Sequence, residues 1–426
     1  MPTHRLRAQD TLQPVDAKGT LPVVAVVHSA DPVSLFDLVK AADGCCQLVS
    51  ILDGDPSAGR ILRHLGPVVD ITGLSDDDAG EKVRALAPDG IATFRNRALR
   101  RTAALADRLR LPFHSPDVAA TLLDKYSQRQ ALERAGLDGP RFRLVEPGDS
   151  AAGSIVGDLR FPVVVKPSAG LGSRETFLAR SIEEVTDALA SAWSAGAGAM
   201  VVEEYLHDSE EVMAADYASF VSVESVIGGG TLRHLALIGK FPPAPPFRET
   251  GHFTPSQLSP AAVETVLDTV GAAIGGLGVT VGALHTEVKI TPDGPRIIEV
   301  NGRTGGAVPD VLLAAGGCSL MQAAMRVALG ETPSDEGLSP CDRVGFRINV
   351  QPPTSAHRVR SVEGVEQVRQ LPGIQSVTVL RNEGDAVNWR LGTDQLVAAL
   401  IGAVDSLDAL GAIRRQVSEG LSIAYE

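Results

Sequence analysis

The chain has 426 residues, of which 44% are hydrophobic and 21% charged, with a formal net charge of −13. That length predicts about two to four domains with a sizeable core, at a composition ordinary for a soluble globular protein. The acidic balance argues against a nucleic-acid or anionic-membrane partner, and no apolar run approaches a membrane span.

Residues 1–20 lack the apolar stretch of a secretory signal and read as a frayed, disordered tail. Of the four cysteines, Cys45 and Cys46 are adjacent and Cys318 and Cys341 stand apart. With no CxxC pair, free thiols in a reducing cytoplasm are expected. The run 21–29 reads as a buried strand, 31–43 as a helix and 46–53 as a second strand. Strands at 68–72 and 91–94 and a helix at 100–111 complete a parallel α/β domain over 21–115. No GxGxxG follows the first strand, so a dinucleotide fingerprint is absent.

A second region opens at Ser115-Pro116 and is expected to run over 116–332. A helix at 121–136 precedes strands at 140–146, 161–167 and 173–179, a helix at 182–195 and a strand at 200–206. Together 116–206 form one subdomain. The stretch FVSVESVIGGGTLRHLALIGK (220–240) is a hairpin turning at three glycines, followed by a helix at 263–277. A catalytic sheet is expected over 207–332, with a helix at 312–329. Proline and acidic residues at 333–340 suggest a linker to a C-terminal α+β lobe (333–426), with strands at 343–350 and 376–380.

The most telling segment is the pair of alternating runs ALHTEVK (283–289) and RIIEVNGR (296–303), joined through Asp293-Gly294, a hairpin signal. Centring the hairpin there sets Glu287 opposite Glu299 and His285 opposite Asn301. Period-two alternation then puts these four and Arg303 on one face. Facing carboxylates repel unless a cation lies between them, and two carboxylates with an amide oxygen suit Mg²⁺ shared with phosphates better than zinc. The plainer alternative is a solvated face with incidental acids.

Only seven of the 39 basic residues are lysines, and four of these are Lys125, Lys166, Lys240 and Lys289. Phe161–Pro167 is a strand ending in Lys166, and the glycine-containing run Ser168–Ser173 follows, where backbone amides can approach phosphate. It is not a P-loop, because the lysine precedes the glycines. Lys125 and Arg129 share one helical face, usually a solvated stripe. MVVEEYL (200–206) is an apolar strand that turns acidic, and the loop FPPAPPFRETGHF (241–253) carries Arg248, Glu249 and His252.

This order of lysine, lysine, glycine loop, Glu-Glu-Tyr-Leu and paired Glu with Asn-x-Arg resembles the ATP-grasp superfamily over roughly 116–330. VSVESV, FRETGHF and the metal hairpin look especially like the branch that ligates L-amino acids into dipeptides. The resemblance implies an ATP-grasp fold flanked by the N-terminal parallel domain and the C-terminal lobe, with ATP and two Mg²⁺ ions (Mn²⁺ as a substitute). Lys125 and Lys166 are then expected at the phosphates, under a mobile loop containing Ser168, Gly170, Gly172 and Ser173. Glu203, beside Glu204, is expected at the adenine amino group and the Tyr205–Leu206 backbone at the ring edge. Glu210 or Glu211, with Asp216 as a third choice, is expected at the ribose, although about ten extra residues separate the hinge from the next strand. Glu287, Glu299 and Asn301 become the metal ligands, Arg303 the catalytic cation, and Gly305 and Gly306 oxyanion donors. Arg248, Glu249 and His252, on the proline-rich loop, are expected to hold the zwitterionic end of the amino-acid substrate, with a plain surface loop as the alternative. His285 is either a substrate contact or a satisfied structural histidine. The implied partners are small acids and amines; a homodimer is the default assembly. Two other readings stay open: an ATP-grasp enzyme acting on another acid, and an ATP-binding regulator without catalysis.

Overall fold

The computed structural model describes residues 21–29, 35–54, 56–63, 66–149, 152–209, 216–334 and 336–426. In chain order the strands are β1 (Val23–His28), β2 (Gln47–Leu52), β3 (Val68–Asp70), β4 (Gly90–Ala92), β5 (Phe142–Val145), β6 (Val163–Pro167), β7 (Phe177–Ala179), β8 (Met200–Glu204) and β9 (Phe220–Gly228). They continue as β10 (Thr231–Lys240), β11 (Gly251–Thr254), β12 (Gly282–Thr291), β13 (Gly294–Asn301), β14 (Val344–Val350), β15 (Val359–Glu363), β16 (Ile374–Val379), β17 (Ala398–Val404) and β18 (Ser422–Tyr425).

The first four strands form a parallel sheet in the order β3-β2-β1-β4. Its runs of valine and isoleucine are continuous rather than alternating because both faces are covered. Ala79, Val83, Ala98 and Leu105 cover one face. Leu38 and Ala41 cover the other together with Met321 and Met325, which come from a helix nearly three hundred residues later in the chain. The N-terminal unit is thereby locked to the second region.

Strands β5 to β8 form an antiparallel sheet in the order β5-β8-β6-β7, backed by the helix Ile182–Ser194 through Val185, Leu189 and Ala192. The third sheet has eight strands in the order β13-β12-β9-β10-β11-β14-β17-β16. The helix Pro260–Gly276 packs Val266, Val270 and Ala273 on its rear face, against Val221, Val223, Leu284 and Val300. The segment expected to be a separate lobe gives three strands (β14, β16, β17) to this central sheet, with β15 and β18 forming a ribbon beside it.

Two expected helices are each broken in two. The helix predicted over 121–136 divides at Asp124, whose extended backbone ends Pro116–Leu123 and whose side chain caps Lys125–Arg134 by accepting from the Ser127 amide at 2.7 Å. An aspartate at an N-cap satisfies an amide that the helix cannot. The break sets Lys125 at the first helical position, where the helix dipole favours anions. The helix predicted over 312–329 divides into Val308–Ala314 and Leu320–Ala328, because Gly316 takes a φ of 84° and leaves the helix.

Candidate active site

The β12–β13 hairpin pairs His285 with Asn301 and Glu287 with Glu299. Thr286 and Val300, one residue on, are fully buried on the opposite face. Glu299 Oε1 lies 3.3 Å from Lys125 Nζ. Asn301 Oδ1 accepts from Asn96 Nδ2 at 2.6 Å, so the N-terminal unit orients that amide. A Cβ at Gly302 would stand 3.0–3.1 Å from side-chain atoms of His114, Leu122 and Leu99, so these neighbours would have to give way to any larger residue after Asn301. Among the described residues no group of three His, Cys, Asp or Glu gathers into a preformed metal cage. The hairpin instead offers two opposed carboxylates and one amide oxygen, an all-oxygen set that fits Mg²⁺ sharing its coordination with phosphate.

In front of the hairpin, between the two antiparallel sheets, lies a cavity of about 610 Å³. Small-molecule sites span roughly 300–1,000 Å³. Lys125, Lys166 and Lys289 enter it, as do Glu287 and Glu299, while Val164, Leu178, Phe220 and Ile298 supply apolar wall. Lys166 Nζ donates to Glu203 Oε1 at 2.5 Å, and Arg129 Nε donates to Glu203 Oε2 at 2.8 Å. Burial alone would raise the Glu203 carboxyl, but Arg129 and Lys166 overcome it and hold the group near pKa about 2. Burial likewise depresses the Lys166 ammonium, against the attraction of Glu203. Arg129 is therefore no solvated stripe. Its other donors reach the Ile297 and Ile298 carbonyls at 2.7 and 3.0 Å, riveting the helix to β13.

The fourth flagged lysine also belongs to the site. Lys240, buried, donates to Glu249 Oε1 at 2.8 Å, and Glu287 adds to its electrostatic surroundings. Lys289 donates to Asp208 at 2.5 Å and stands 5.6 Å from the centre of the Tyr205 ring. Asp208 and Lys289 both line the cavity; Lys289 stood out in the sequence only by the rarity of lysine, with no role given to it, and Asp208 carried no signal.

The glycine loop and the hinge divide into lining and anchoring residues. Gly170, Gly172 and Ser173 line the cavity, as do Glu203 to Leu206. Ser168 does not. It is buried, its hydroxyl donates to Asp124, and its carbonyl accepts from the Lys125 amide at 2.8 Å. Lys125 Nζ donates to the Gly170 carbonyl at 2.9 Å. The Glu204 carboxylate turns to Arg141 and Arg160 and is held near pKa about 2 by their hydrogen bonds, against the opposing effect of burial. The Tyr205 amide donates to the Pro162 carbonyl at 3.0 Å, so it offers no donor to a ring edge. Glu210 and Glu211 lie outside the described residues. Asp216, the third ribose choice, accepts instead from Arg414.

The expected substrate side needs more correction. Arg248 is 1% exposed, and its guanidinium donates to the Pro245 and Pro352 carbonyls at 2.7–3.0 Å. It ties the proline loop to the C-terminal segment and presents no cation to a ligand. Glu249 accepts from both Lys240 and His252 Nδ1, the latter at 2.9 Å; burial works to raise its carboxyl, but the Lys240 ammonium and the His252 hydrogen bond hold it well below the usual range. His252 keeps a buried Nε2 without a partner, and burial lowers its pKa below 6.5 against the pull of Glu249. His285 is the satisfied histidine of the two alternatives. Nδ1 pairs with Glu224, and Nε2 lies 3.4 Å from Glu287. Burial would lower it, but the two carboxylates raise it to about 9. It is a charged spacer that orients Glu287. Glu224, on β9, also accepts the Gly305 amide at 2.8 Å, which removes that amide from the expected oxyanion hole. Gly306 borders a cavity of about 50 Å³ with Arg95 and Asp310. Arg303 donates to the Thr304 carbonyl at 2.7 Å and sits in the field of Glu224, Glu299 and Glu287. Glu224 was legible only as part of VSVESV; Asn96 carried no signal.

Residues 159–309 match the profile of the family described as ATP-grasp domain. The chain carries an ATP-grasp domain and has the ATP-grasp fold. It is 26% identical over 324 residues to an uncharacterised protein of Sinorhizobium fredii, spanning 74% of this chain and 61% of that one. It is 25% identical over 232 residues to an alanine–anticapsin ligase of Bacillus subtilis, spanning 51% and 49% respectively. Among solved structures, an L-amino acid ligase from Bacillus licheniformis superposes with a TM-score of 0.74 over 96% of this chain and 99% of that one, at 20% identity. Carboxyaminoimidazole ribonucleotide synthetases and biotin carboxylases share the fold as well. The chain spans between about a fifth and three fifths of the length of the curated relatives it matches first. No helix among the described residues is long and apolar enough to cross a membrane.

Proposed function

We propose that the protein is an ATP-dependent carboxylate–amine ligase that joins an amino-acid carboxylate to an amine, with a second amino acid as that amine. The observation that carries the reading is the opposed pair Glu287 and Glu299, facing one cavity with Lys125 and Lys166. Carboxylates and ammonium groups so placed match a chain of phosphates with its metal. The likeness to amino-acid ligases in sequence and fold supports the choice of substrate class.

In the first step a carboxylate oxygen attacks the γ-phosphorus, the bond to ADP breaks, and an acyl phosphate forms. Lys125 and Lys166 offset phosphate charge, and positioning with charge neutralisation is most of what such a transfer requires. Glu287, Glu299 and Asn301 would hold Mg²⁺, which when bound would supply further charge neutralisation and orientation. In the second step the amine nitrogen attacks the acyl carbon, the carbonyl oxygen becomes an oxyanion, and phosphate leaves as the amide forms. Arg303 is the cation for that oxyanion. His252, neutral and with Nε2 free, is the group in this set able to accept the proton that the amine loses. The glycine loop excludes water, which otherwise hydrolyses the acyl phosphate.

A phosphate-release screen over paired amino acids, with product masses, tests the reading. ADP formation that requires an acid and yields an amide mass supports it. ADP formation only with bicarbonate or a nucleotide precursor, or nucleotide binding without turnover, sinks it.

A further inference from the structure

The glycine loop is fastened by a segment from the far end of the chain. The Thr393 amide donates to the Gly172 carbonyl at 2.8 Å, and the Glu175 amide donates to the Arg390 carbonyl at 2.9 Å. Arg390 stacks over Phe177 of β7, 5.3 Å from its ring centre, and donates to Ser191 Oγ at 2.7 Å. Ser173 and Glu175 take left-handed backbone angles, with φ of 59° and 47°. Non-glycine residues hold such angles only where their surroundings impose them. Here the imposing contacts include Ser173 Oγ on the Phe247 carbonyl, at 2.8 Å, and the Glu175 amide on Arg390.

The same segment grips the substrate loop. Thr393 Oγ1 accepts from the Glu249 amide at 3.1 Å, while Gln351 Nε2 donates to the Glu249 and Thr393 carbonyls at 2.9 and 3.0 Å. One threonine thus bonds the nucleotide loop through its amide and the Glu249 backbone through its hydroxyl. Gly392 makes the close approach feasible. A Cβ there would stand 2.1 Å from the Gly172 carbonyl oxygen and 2.8 Å from the Arg174 amide.

We propose that Thr393 is a positioning residue, which couples docking of the glycine loop to alignment of Glu249, so that amide formation requires the segment Trp389–Thr393 to be seated on that loop. The inference rests on the ligase reading for its chemistry. A loop docked through this segment shields the acyl phosphate while Glu249 is held in register with Lys240 and His252. A loop undocked from it lets phosphoryl transfer proceed and water intercept the product.

The test compares the full-length protein with Thr393→Val, Thr393→Ser and Gly392→Ala. Three quantities are read: amide formed per ADP, nucleotide affinity, and hydrogen exchange of residues 170–176 with and without a non-hydrolysable ATP analogue. Thr393→Val keeps the backbone bond to Gly172 and loses the acceptor for Glu249. Amide per ADP should fall about fivefold, the worth of one net hydrogen bond, with nucleotide affinity unchanged within about twofold. Thr393→Ser should restore the ratio. Gly392→Ala should speed exchange in 170–176 by about tenfold, as expected when a locally docked segment opens more often. Wild-type coupling in Thr393→Val, or a serine variant as poor as the valine one, overturns the proposal. If the wild type forms no amide with any pair, the ligase reading is what fails; the exchange arm still decides, and unaltered exchange in Gly392→Ala overturns the coupling.

Discussion

The nucleotide half of the site and the half expected to hold the acid and amine handle charge in different ways. The first surrounds a cavity of about 610 Å³ with ion pairs such as Lys166–Glu203 and Lys125–Glu299. On the proposed reading, ammonium groups there exchange a carboxylate partner for a phosphate when nucleotide enters. The second is packed. Glu224, His285 and His252 are each at most 5% exposed, and the open space beside Gly306 is about 50 Å³. A site that must take one invariant ligand can stay open. A site whose buried polar groups are already placed rejects ligands that leave them unpaired, often by factors of about 10⁴.

That contrast fails most visibly if removing a hairpin carboxylate is tolerated. Glu287→Ala and Glu299→Ala are each expected to abolish Mg²⁺-dependent ADP formation while the protein still melts cooperatively. Turnover near wild type in either variant removes the metal assignment. Next comes Arg303→Lys, which exchanges a planar guanidinium for a point charge. Turnover should fall about 10²-fold or more with nucleotide affinity nearly unchanged, the mark of an interaction made in the transition state. Loss of affinity alone would move Arg303 into the nucleotide half. Lys166→Ala should weaken ATP binding by about tenfold in calorimetric titration and leave Glu203 paired with Arg129. Unchanged affinity would show that Lys166 serves only to neutralise Glu203.

The smallest effect is on stability against pH. His285 is raised to about 9 in the folded protein, so its contribution is complete below its unfolded value near 6.5 and is lost as pH rises through 9. At about 1.36 kcal/mol per unit, that contribution is at most about 3 kcal/mol. Glu203 behaves oppositely. Its folded value near 2 gives stability above pH about 4.5 that disappears as pH falls toward 2. Denaturant midpoints across pH 6–10 should decline for the wild type and decline less for His285→Gln. Parallel curves would mean that Glu224 and Glu287 do not charge the ring.

What could be read from the sequence was local in a definite sense. Strand alternation and the turn placed Glu287 and Glu299 on facing strands, but the turn itself pairs Thr291 with Gly294, and a bulge between Glu287 and Val288, which left no trace in the pattern, shifts the register to set Glu287 opposite Glu299. The rarity of lysine singled out Lys125, Lys166, Lys240 and Lys289, all of which reach the site or its charge network. Contacts between distant segments left no periodic trace. Asn96 meets Asn301 across 205 positions, and Arg129 meets Glu203 across 74. Arg248 looked like a loop cation because composition cannot distinguish an arginine facing a ligand from one bonded to carbonyls of a segment a hundred residues away. Strands at 343–350 and 376–380 were expected, but β17 between them in the sheet was not, and that β14 pairs with β11 and extends the central sheet depends on topology rather than pattern.

The claim that a substrate carboxylate is activated by phosphoryl transfer in this site is tested most directly by following oxygen. An acid substrate labelled with ¹⁸O in its carboxylate is turned over with ATP and an amine, and the released phosphate is analysed by mass. Attack of the carboxylate on the γ-phosphorus, followed by cleavage of the acyl carbon–oxygen bond, predicts one ¹⁸O in each phosphate. Phosphate free of label, with both labelled oxygens retained in the acid while ADP accumulates, would contradict the account.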